Sequence, residues 1–161
     1  MRILVLGIGN PILGNDAAGI LAIRELKRMF KRFNVNNVYF DESSDGGFRL
    51  AEKMLGYDKV IIIDTIKDNE STEEGTVRVI DLYELMKKNE NMWLANPHDA
   101  DLITAMKILS SAFKDEMPRE VIIYGIKISS SFTFSEQLSD SVRNAIKKVV
   151  KMILEDLGVK N

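Results

Sequence analysis

Short apolar runs alternate along the chain with longer segments in which apolar residues recur every three or four positions. Continuous apolar runs rich in β-branched residues are typical of strands that are buried on both faces of a parallel sheet. The amphipathic segments between them are typical of helices that pack on such a sheet. The pattern therefore predicts an α/β domain. Its predicted strands are 3–6, 38–40, 59–64, 76–80 and 120–128, and its predicted helices are 17–33, 46–56, 81–88, 99–113 and 136–157.

The connection that precedes the fourth predicted strand indicates the direction of that strand. Residues 67–75, KDNESTEEG, are polar and too few to hold a crossover helix. A parallel return to the same sheet needs about a dozen residues or more. We therefore expect strand 76–80 to run antiparallel to strand 59–64.

The loop after the first strand carries the first candidate for chemistry. Gly7 and Gly9 are expected to end the strand, because glycine adopts the backbone angles of a sharp turn. Pro11 disfavours helical geometry in the residue before it, so a loop is expected next. The helix is expected to start near Asn15 or Asp16, either of which can cap its free N–H groups. Asp16 would then lie just beyond the carboxyl end of the first strand, where open α/β sheets bind ligands.

Two further residues are candidates for the same site. Asp64 ends the third predicted strand, which we expect beside the first strand at the switch point of the sheet. His98 is the only histidine and lies at a loop-to-helix junction beside Asp99. Two carboxylates and one imidazole suit a borderline divalent cation such as nickel, zinc or cadmium, with coordination positions left open. A peptidase in which Asp16 and Asp64 share a proton is the other interpretation of these residues.

Several common catalytic motifs are missing. A dinucleotide fingerprint G-x-G-x-x-G that starts at Gly7 and Gly9 would place its third glycine on Ile12. The chain contains no G-x-S-x-G elbow and no H-E-x-x-H helix, which argues against a serine hydrolase and an ordinary zinc protease.

The amino-acid composition excludes further classes of protein. The chain has 161 residues, which indicates a single domain over 1–161. Its net charge of −2 provides no basic field for nucleic acid. It has no cysteine, which excludes disulfides, thiolate metal sites and a cysteine nucleophile. No apolar run approaches the ~20 residues that span a bilayer, and residues 1–20 do not resemble a signal peptide. We expect a cytoplasmic protein that binds neither nucleic acid nor membrane.

Two stretches resemble the hydrogenase maturation proteases, which trim the C-terminus of the large subunit of nickel–iron hydrogenases. The segment Gly7–Gly19, GIGNPILGNDAAG, is similar to their N-terminal pattern G-x-G-N-x-L-x-x-D-[DE]-x-x-G. Asn15 stands at the first acidic position, and Asp16 keeps the second, which contacts metal in the family. The segment Ala95–Leu102, ANPHDADL, resembles the family's S/T-x-H-x-x-x-L stretch, whose histidine, here His98, contacts metal.

One segment departs from the family pattern. Residues 41–46 read DESSDG, where relatives usually carry a turn close to D-G-G-T-x-G. The outer aspartate and the last glycine are kept, so the departure bears on substrate detail and not on the fold.

The resemblance implies a fold and an activity. The implied fold is a three-layer α/β/α arrangement of the phosphorylase/hydrolase-like kind, with a five-stranded mixed sheet in the order 2-1-3-5-4 and strand 4 antiparallel. The implied activity is that of an aspartic-type or metal-dependent endopeptidase, a hydrolase, with Asp16, Asp64 and His98 as both catalytic and metal-contacting residues. The implied partner is a hydrogenase large-subunit precursor that carries nickel as the recognition element, while zinc or cadmium substitutes for it in the free protein. The chain is expected to be a monomer.

Two other functions stay open at the level of sequence. Peptidyl-tRNA hydrolases also open with G-x-G-N-P, here Gly7–Pro11, but their motif continues close to T-R-H-N, and Gly14–Ala17 has no histidine or arginine. A non-catalytic docking module that recognises a nickel-loaded precursor would need the same three metal-contacting residues and no cleavage chemistry.

Overall fold

The chain folds as one mixed sheet of five strands between two layers of helices. This computed structural model describes residues 1–33, 36–67, 73–88, 98–129 and 137–159, and for residues 98–100 it describes the backbone only. The strands are β1 (Ile3–Ile8), β2 (Val38–Ser43), β3 (Lys59–Ile66), β4 (Val77–Asp81) and β5 (Glu120–Lys127). The helices are α1 (Ala18–Phe30), α2 (Gly47–Lys53), α3 (Leu82–Lys88), α4 (His98–Ala112) and α5 (Asp140–Asp156), and short 3₁₀ helices lie at Gly14–Ala17 and Lys114–Glu116.

The order of the strands is β2-β1-β3-β5-β4, as the resemblance implied. β1 pairs in parallel with β2 and β3, and β3 pairs in parallel with β5. Among the described strands, β4 pairs only with β5 and is antiparallel to it, so the direction inferred from the short connection 67–75 is confirmed. No helix within the described residues is long and apolar enough to cross a membrane.

The buried strands supply side chains to two separate cores. In β3, Ile61 and Ile63 face the layer formed by α1 and α5, whereas Val60 and Ile62 face the layer formed by α2, α3 and α4. This alternation follows from the two-residue period of a strand. It explains why β3 is apolar without polar alternation, because helices cover both of its faces.

Four strands extend further at their carboxyl ends than the sequence predicted. β1 continues to Ile8, β2 to Ser43, β3 to Ile66 and β4 to Asp81. The prediction that Gly7 ends the first strand is wrong, because Gly7 lies within β1 and pairs with both neighbouring strands. Glycine is needed here because α1 packs closely on β1, and a Cβ on Gly7 would lie 2.5 Å from the carbonyl oxygen of Gly19 in α1.

The predicted cap of the first helix is also wrong. α1 begins at Ala18, after the 3₁₀ helix, and neither Asn15 nor Asp16 caps it. Both side chains instead accept hydrogen bonds from backbone N–H groups outside the helix, at Ser139 and Asn10. The last helix begins at Asp140, with Ser139 as its N-cap. Residue 136, where that helix was predicted to begin, lies outside the described residues.

Candidate active site

Asp16 closes the loop that follows β1. Its Oδ2 accepts a hydrogen bond from the backbone N–H of Asn10 at 3.0 Å. Its Oδ1 accepts one from the hydroxyl of Thr65 in β3 at 3.4 Å. The carboxylate therefore joins the end of β1 to the end of β3. The prediction that Asp16 lies just beyond the carboxyl end of the first strand is confirmed.

Two glycines allow this close approach. Gly9 has a φ of 147°, and a Cβ there would lie 2.0 Å from the carbonyl oxygen of Asp16. A Cβ on Gly19 would lie 2.2 Å from the carbonyl oxygen of Ile8 and 2.4 Å from that of Ile63. Only residues without a side chain fit at these distances. The start of α1 therefore rests directly on the carboxyl ends of β1 and β3.

Asp64 is a buried carboxylate next to Thr65. Only 1% of its surface is exposed, and its Oδ1 accepts the backbone N–H of Thr65 at 2.7 Å. The prediction that it ends the third strand is wrong, because β3 continues for two residues. By the alternation of the strand, Asp64 lies on the face covered by α2, α3 and α4, and its parallel neighbour Gly125 presents no side chain there. A buried carboxylate is costly unless hydrogen bonds or a charge partner stabilise it.

His98 is the first residue of α4, and its side chain lies outside the described part of the structure. A Cβ on Gly47, at the start of α2, would lie 3.0 Å from the Cβ of Asp101 in the first turn of α4. Beyond the other end of α4, the carbonyl oxygen of Glu116 accepts the N–H of Gly56 at 2.8 Å, and the guanidinium of Arg2 bonds Gly56 in turn. α4 therefore starts at the carboxyl edge of the sheet and runs to the amino edge.

These placements put Asp16, Asp64 and the start of α4 at the carboxyl edge of the sheet, although the strand alternation sets Asp64 and the Thr65 side chain that bonds Asp16 on opposite faces of β3. Asp16 contacts the residue next to Asp64, and the helix that His98 begins starts at the same edge of the sheet. The approach of all three side chains to one cation stays a prediction. Among the side chains that the structure describes, no three His, Cys, Asp or Glu groups lie close enough to hold a metal ion. Carboxylate oxygens at such an edge suit either proton transfer or contact with a divalent cation.

The segment that departs from the family pattern lies beside this edge. Ser43 is buried, and its hydroxyl accepts the N–H of Asp45 at 3.1 Å and contacts the Asp45 carboxylate at 3.4 Å. Asp41 forms an ion pair with Lys53 at 2.8 Å. Its hydrogen bond with Lys53 lowers the pKa of Asp41 below its usual value. Asp41, the aspartate that this segment shares with the family pattern, is thus bound to a lysine of α2.

The sequence reasoning missed a polar cluster that holds the turn of Asp16. Asn15 Oδ1 accepts the backbone N–H of Ser139 at 2.9 Å. The carboxylate of Glu74 accepts the hydroxyl of Ser139, the hydroxyl of Ser141 at 2.9 Å and the N–H of Ser129 at 3.2 Å. These hydrogen bonds, that of Ser139 first, lower the pKa of Glu74. Ser139 could be recognised from the sequence as the N-cap of an amphipathic helix. Its partners Asn15 and Glu74 are far away in the sequence, so no local motif predicts these hydrogen bonds.

Comparison with known proteins agrees with this fold. Residues 20–156 match the family described as hydrogenase maturation protease. The chain is 28% identical over 164 residues to the coenzyme F420 hydrogenase subunit delta of Methanothermobacter thermautotrophicus, covering 98% of this chain and 96% of that protein.

Two solved structures share the architecture along almost their full length. The hydrogenase maturating endopeptidase HybD of Escherichia coli has a TM-score of 0.77 and 25% identity, over 98% of this chain and 92% of that one. The [NiFe] hydrogenase maturation protease HybD of Thermococcus kodakarensis has a TM-score of 0.75 and 25% identity, over 96% of this chain and 98% of that one. The similarity therefore includes both the loop of Asp16 and the strand of Asp64.

Proposed function

Because this chain belongs to the hydrogenase maturation protease family, we propose that it is an endopeptidase that removes the C-terminal extension of a nickel-loaded [NiFe]-hydrogenase large-subunit precursor. The family makes it a peptidase and sets aside the peptidyl-tRNA hydrolase alternative. The names of its structural relatives, a hydrogenase maturating endopeptidase and a [NiFe] hydrogenase maturation protease, support the choice of substrate.

The proposed roles assign Asp16, Asp64 and His98 to the nickel that the precursor carries. The observation that supports this best is the hydrogen bond from the Thr65 hydroxyl to Asp16, which ties Asp16 to the residue that follows the buried Asp64 at the carboxyl edge of the sheet. Oxygen and imidazole ligands complete the coordination shell of a metal that the substrate already holds. The protein has no cysteine thiolate of its own, so its affinity for free nickel, zinc or cadmium should be modest. Nickel then reports that the precursor has been loaded.

The reaction adds one water across a peptide bond and yields a new carboxylate and a free amine. One group must accept a proton from the water, and one must donate a proton to the departing nitrogen. Asp16 and Asp64 supply these roles if they share a proton, and the substrate's nickel supplies polarisation if it contacts the carbonyl oxygen. Both routes need the two carboxylates at the same edge of the sheet.

The first prediction concerns cleavage of the precursor with and without nickel. We expect the wild type to cleave only the nickel-loaded form, detected as the mass loss of the precursor. Asp16→Asn, Asp64→Asn and His98→Ala should each lower the rate by about 100-fold or more, because each removes a proton-transfer or metal-contacting group. The matched control is Asp140→Asn, which makes the same chemical change on a side chain that is 99% exposed.

Two results would count against this proposal in different ways. Equal rates on loaded and nickel-free precursor would contradict nickel recognition and indicate a general peptidase. Tight binding of the loaded precursor without any mass loss would indicate a docking module instead of an enzyme.

A further inference from the structure

The loop between β1 and Asp16 carries a small apolar surface, which we call the rim loop and define as Pro11–Leu13. Ile12 is 74% exposed and Leu13 is 43% exposed. All three residues are apolar and carry no charged group. Single exposed apolar residues are common on protein surfaces, whereas these two adjacent ones form a small apolar patch next to a candidate active site.

Hydrogen bonds hold the backbone of the rim loop in one shape. The N–H groups of Ile12 and Leu13 both donate to Asn10, to its side-chain and backbone oxygens respectively, each at 3.2 Å. The N–H of Asp16 donates to the carbonyl oxygen of Leu13 at 2.9 Å, and the Asp16 carboxylate accepts the N–H of Asn10. The apolar side chains are therefore presented outward by a fixed turn. A preformed surface loses less conformational entropy when a partner binds.

The same carboxylate that we assign to nickel thus closes the loop that displays Ile12 and Leu13. A polypeptide bound at Asp16 would lie beside this turn, because the backbones of Asn10 and Leu13 both form hydrogen bonds with Asp16. We propose that Ile12 and Leu13 dock an apolar stretch of the protein substrate beside the segment that enters the site. This inference rests on the proposed function and adds to it a contact that determines substrate affinity.

Two other exposed apolar side chains lack this setting. Ile108 is 52% exposed on α4, near the end that leads to the amino edge, and Val79 is 51% exposed on the edge strand β4. Neither adjoins Asp16 or Asp64 in the described contacts. They serve as controls of equal apolar character.

The test compares steady-state cleavage of nickel-loaded precursor by the wild type and by the double variant Ile12→Ser/Leu13→Ser. We expect KM to rise about tenfold, because two apolar side chains lose contact with the substrate, while kcat changes less than about twofold. The conservative variant Ile12→Leu should retain the wild-type KM, and Ile108→Ser should match the wild type in both constants. Binding of the precursor is measured separately by calorimetry.

The outcomes separate this inference from the proposed function. Precursor that binds the wild type without being cleaved contradicts the proposed function alone, and Kd then replaces KM in testing the rim loop. Equal KM and equal Kd for the wild type and the double variant contradict rim-loop docking alone. A fall in kcat at constant KM contradicts it as well, because the loop would then act through Asp16. A change in the sedimentation of the free protein would indicate that the loop binds a second copy, and failure of the precursor to bind the wild type contradicts both proposals.

Discussion

Gly19 shows how a single atom limits the packing beneath the site. It lies in the first turn of α1, at the point where the helix crosses the ends of β1 and β3. An added Cβ would meet two backbone carbonyl oxygens, those of Ile8 and Ile63, within 2.4 Å. Neither oxygen belongs to a flexible side chain, so the helix itself would have to move. The position of the 3₁₀ helix that holds Asp16 depends on this contact.

We therefore expect Gly19→Ala to destabilise the protein by about 3 kcal/mol, although alanine is the better helix former by about 1 kcal/mol. The steric cost exceeds the helix preference because the clash involves backbone atoms of two strands. Urea denaturation measures the free energy of unfolding. Gly158→Ala is the comparison, since nothing lies within 4 Å of its added Cβ, so that only its left-handed φ of 71° opposes alanine and the cost should stay at about 1 kcal/mol. A Gly19→Ala protein as stable as the wild type would refute the tight crossing of α1.

Among the larger elements, Glu74 connects three parts of the chain at the carboxyl edge. It precedes β4 and accepts hydrogen bonds from Ser139 and Ser141 at the start of α5 and from Ser129 after β5. Ser139 also donates to Asn15 in the turn of Asp16. The start of α5 is thereby tied to the candidate site through neighbours that are far apart in the sequence.

This cluster predicts a pH dependence of stability. Folding lowers the pKa of Glu74 below its usual value of about 4.3, so its ionised form stabilises the fold above that pH. The contribution is lost as the pH falls through the lower pKa of the folded state. We expect Glu74→Gln to cost about 1 kcal/mol at pH 7, because it removes charge-assisted hydrogen bonds from a half-buried carboxylate. The difference from the wild type should shrink by pH 3.

Urea denaturation at several pH values measures this difference. The matched control is Glu73→Gln, which makes the same charge change at the adjacent, exposed residue and should leave stability nearly unaltered. A cost of Glu74→Gln that stays constant from pH 7 to pH 3 would show that the ionised carboxylate is not what stabilises the cluster.

At the scale of the whole molecule, the two edges of the sheet carry different kinds of residues. The carboxyl edge carries Asp16, Asp64 and the start of α4, whereas ion pairs join the elements at the amino edge. Lys59 at the start of β3 is buried and contacts Asp156 of α5 at 3.0 Å and Glu120 of β5 at 3.2 Å. Burial alone would lower the pKa of Lys59, but its bonds to the two carboxylates outweigh this and raise it.

Lys59→Ala should therefore lower the free energy of unfolding by about 1–2 kcal/mol. The loss is moderate because both carboxylate partners are partly exposed to water. Cleavage activity of the folded protein should not change, because the substitution is at the opposite edge from Asp16. Lys151→Ala is the control, since it removes an exposed ion pair with Glu155 at 3.9 Å and should cost almost nothing. Loss of cleavage per folded molecule in the Lys59 variant would show that the two edges are coupled.

Local patterns in the sequence were enough to identify the main elements of the fold. Apolar runs and helical spacing depend on which residues are buried, and burial repeats with the period of each element. The short polar connection 67–75 likewise determined that β4 is antiparallel, because chain length limits the possible return. The glycines and Asp16 indicated the loop after β1, while the order of the strands came from resemblance to a family.

Only the tertiary structure decided where the elements end and which distant groups meet. Asp64 lies inside β3 because pairing with β5 extends the strand beyond its apolar run. Asn15 bonds Ser139, 124 residues away, instead of capping α1. Propensity describes each residue and its near neighbours, whereas hydrogen bonds across the fold depend on how helices pack on the sheet. The sequence alone therefore determined the kinds of elements and the candidate residues, and the packing determined which of them come together.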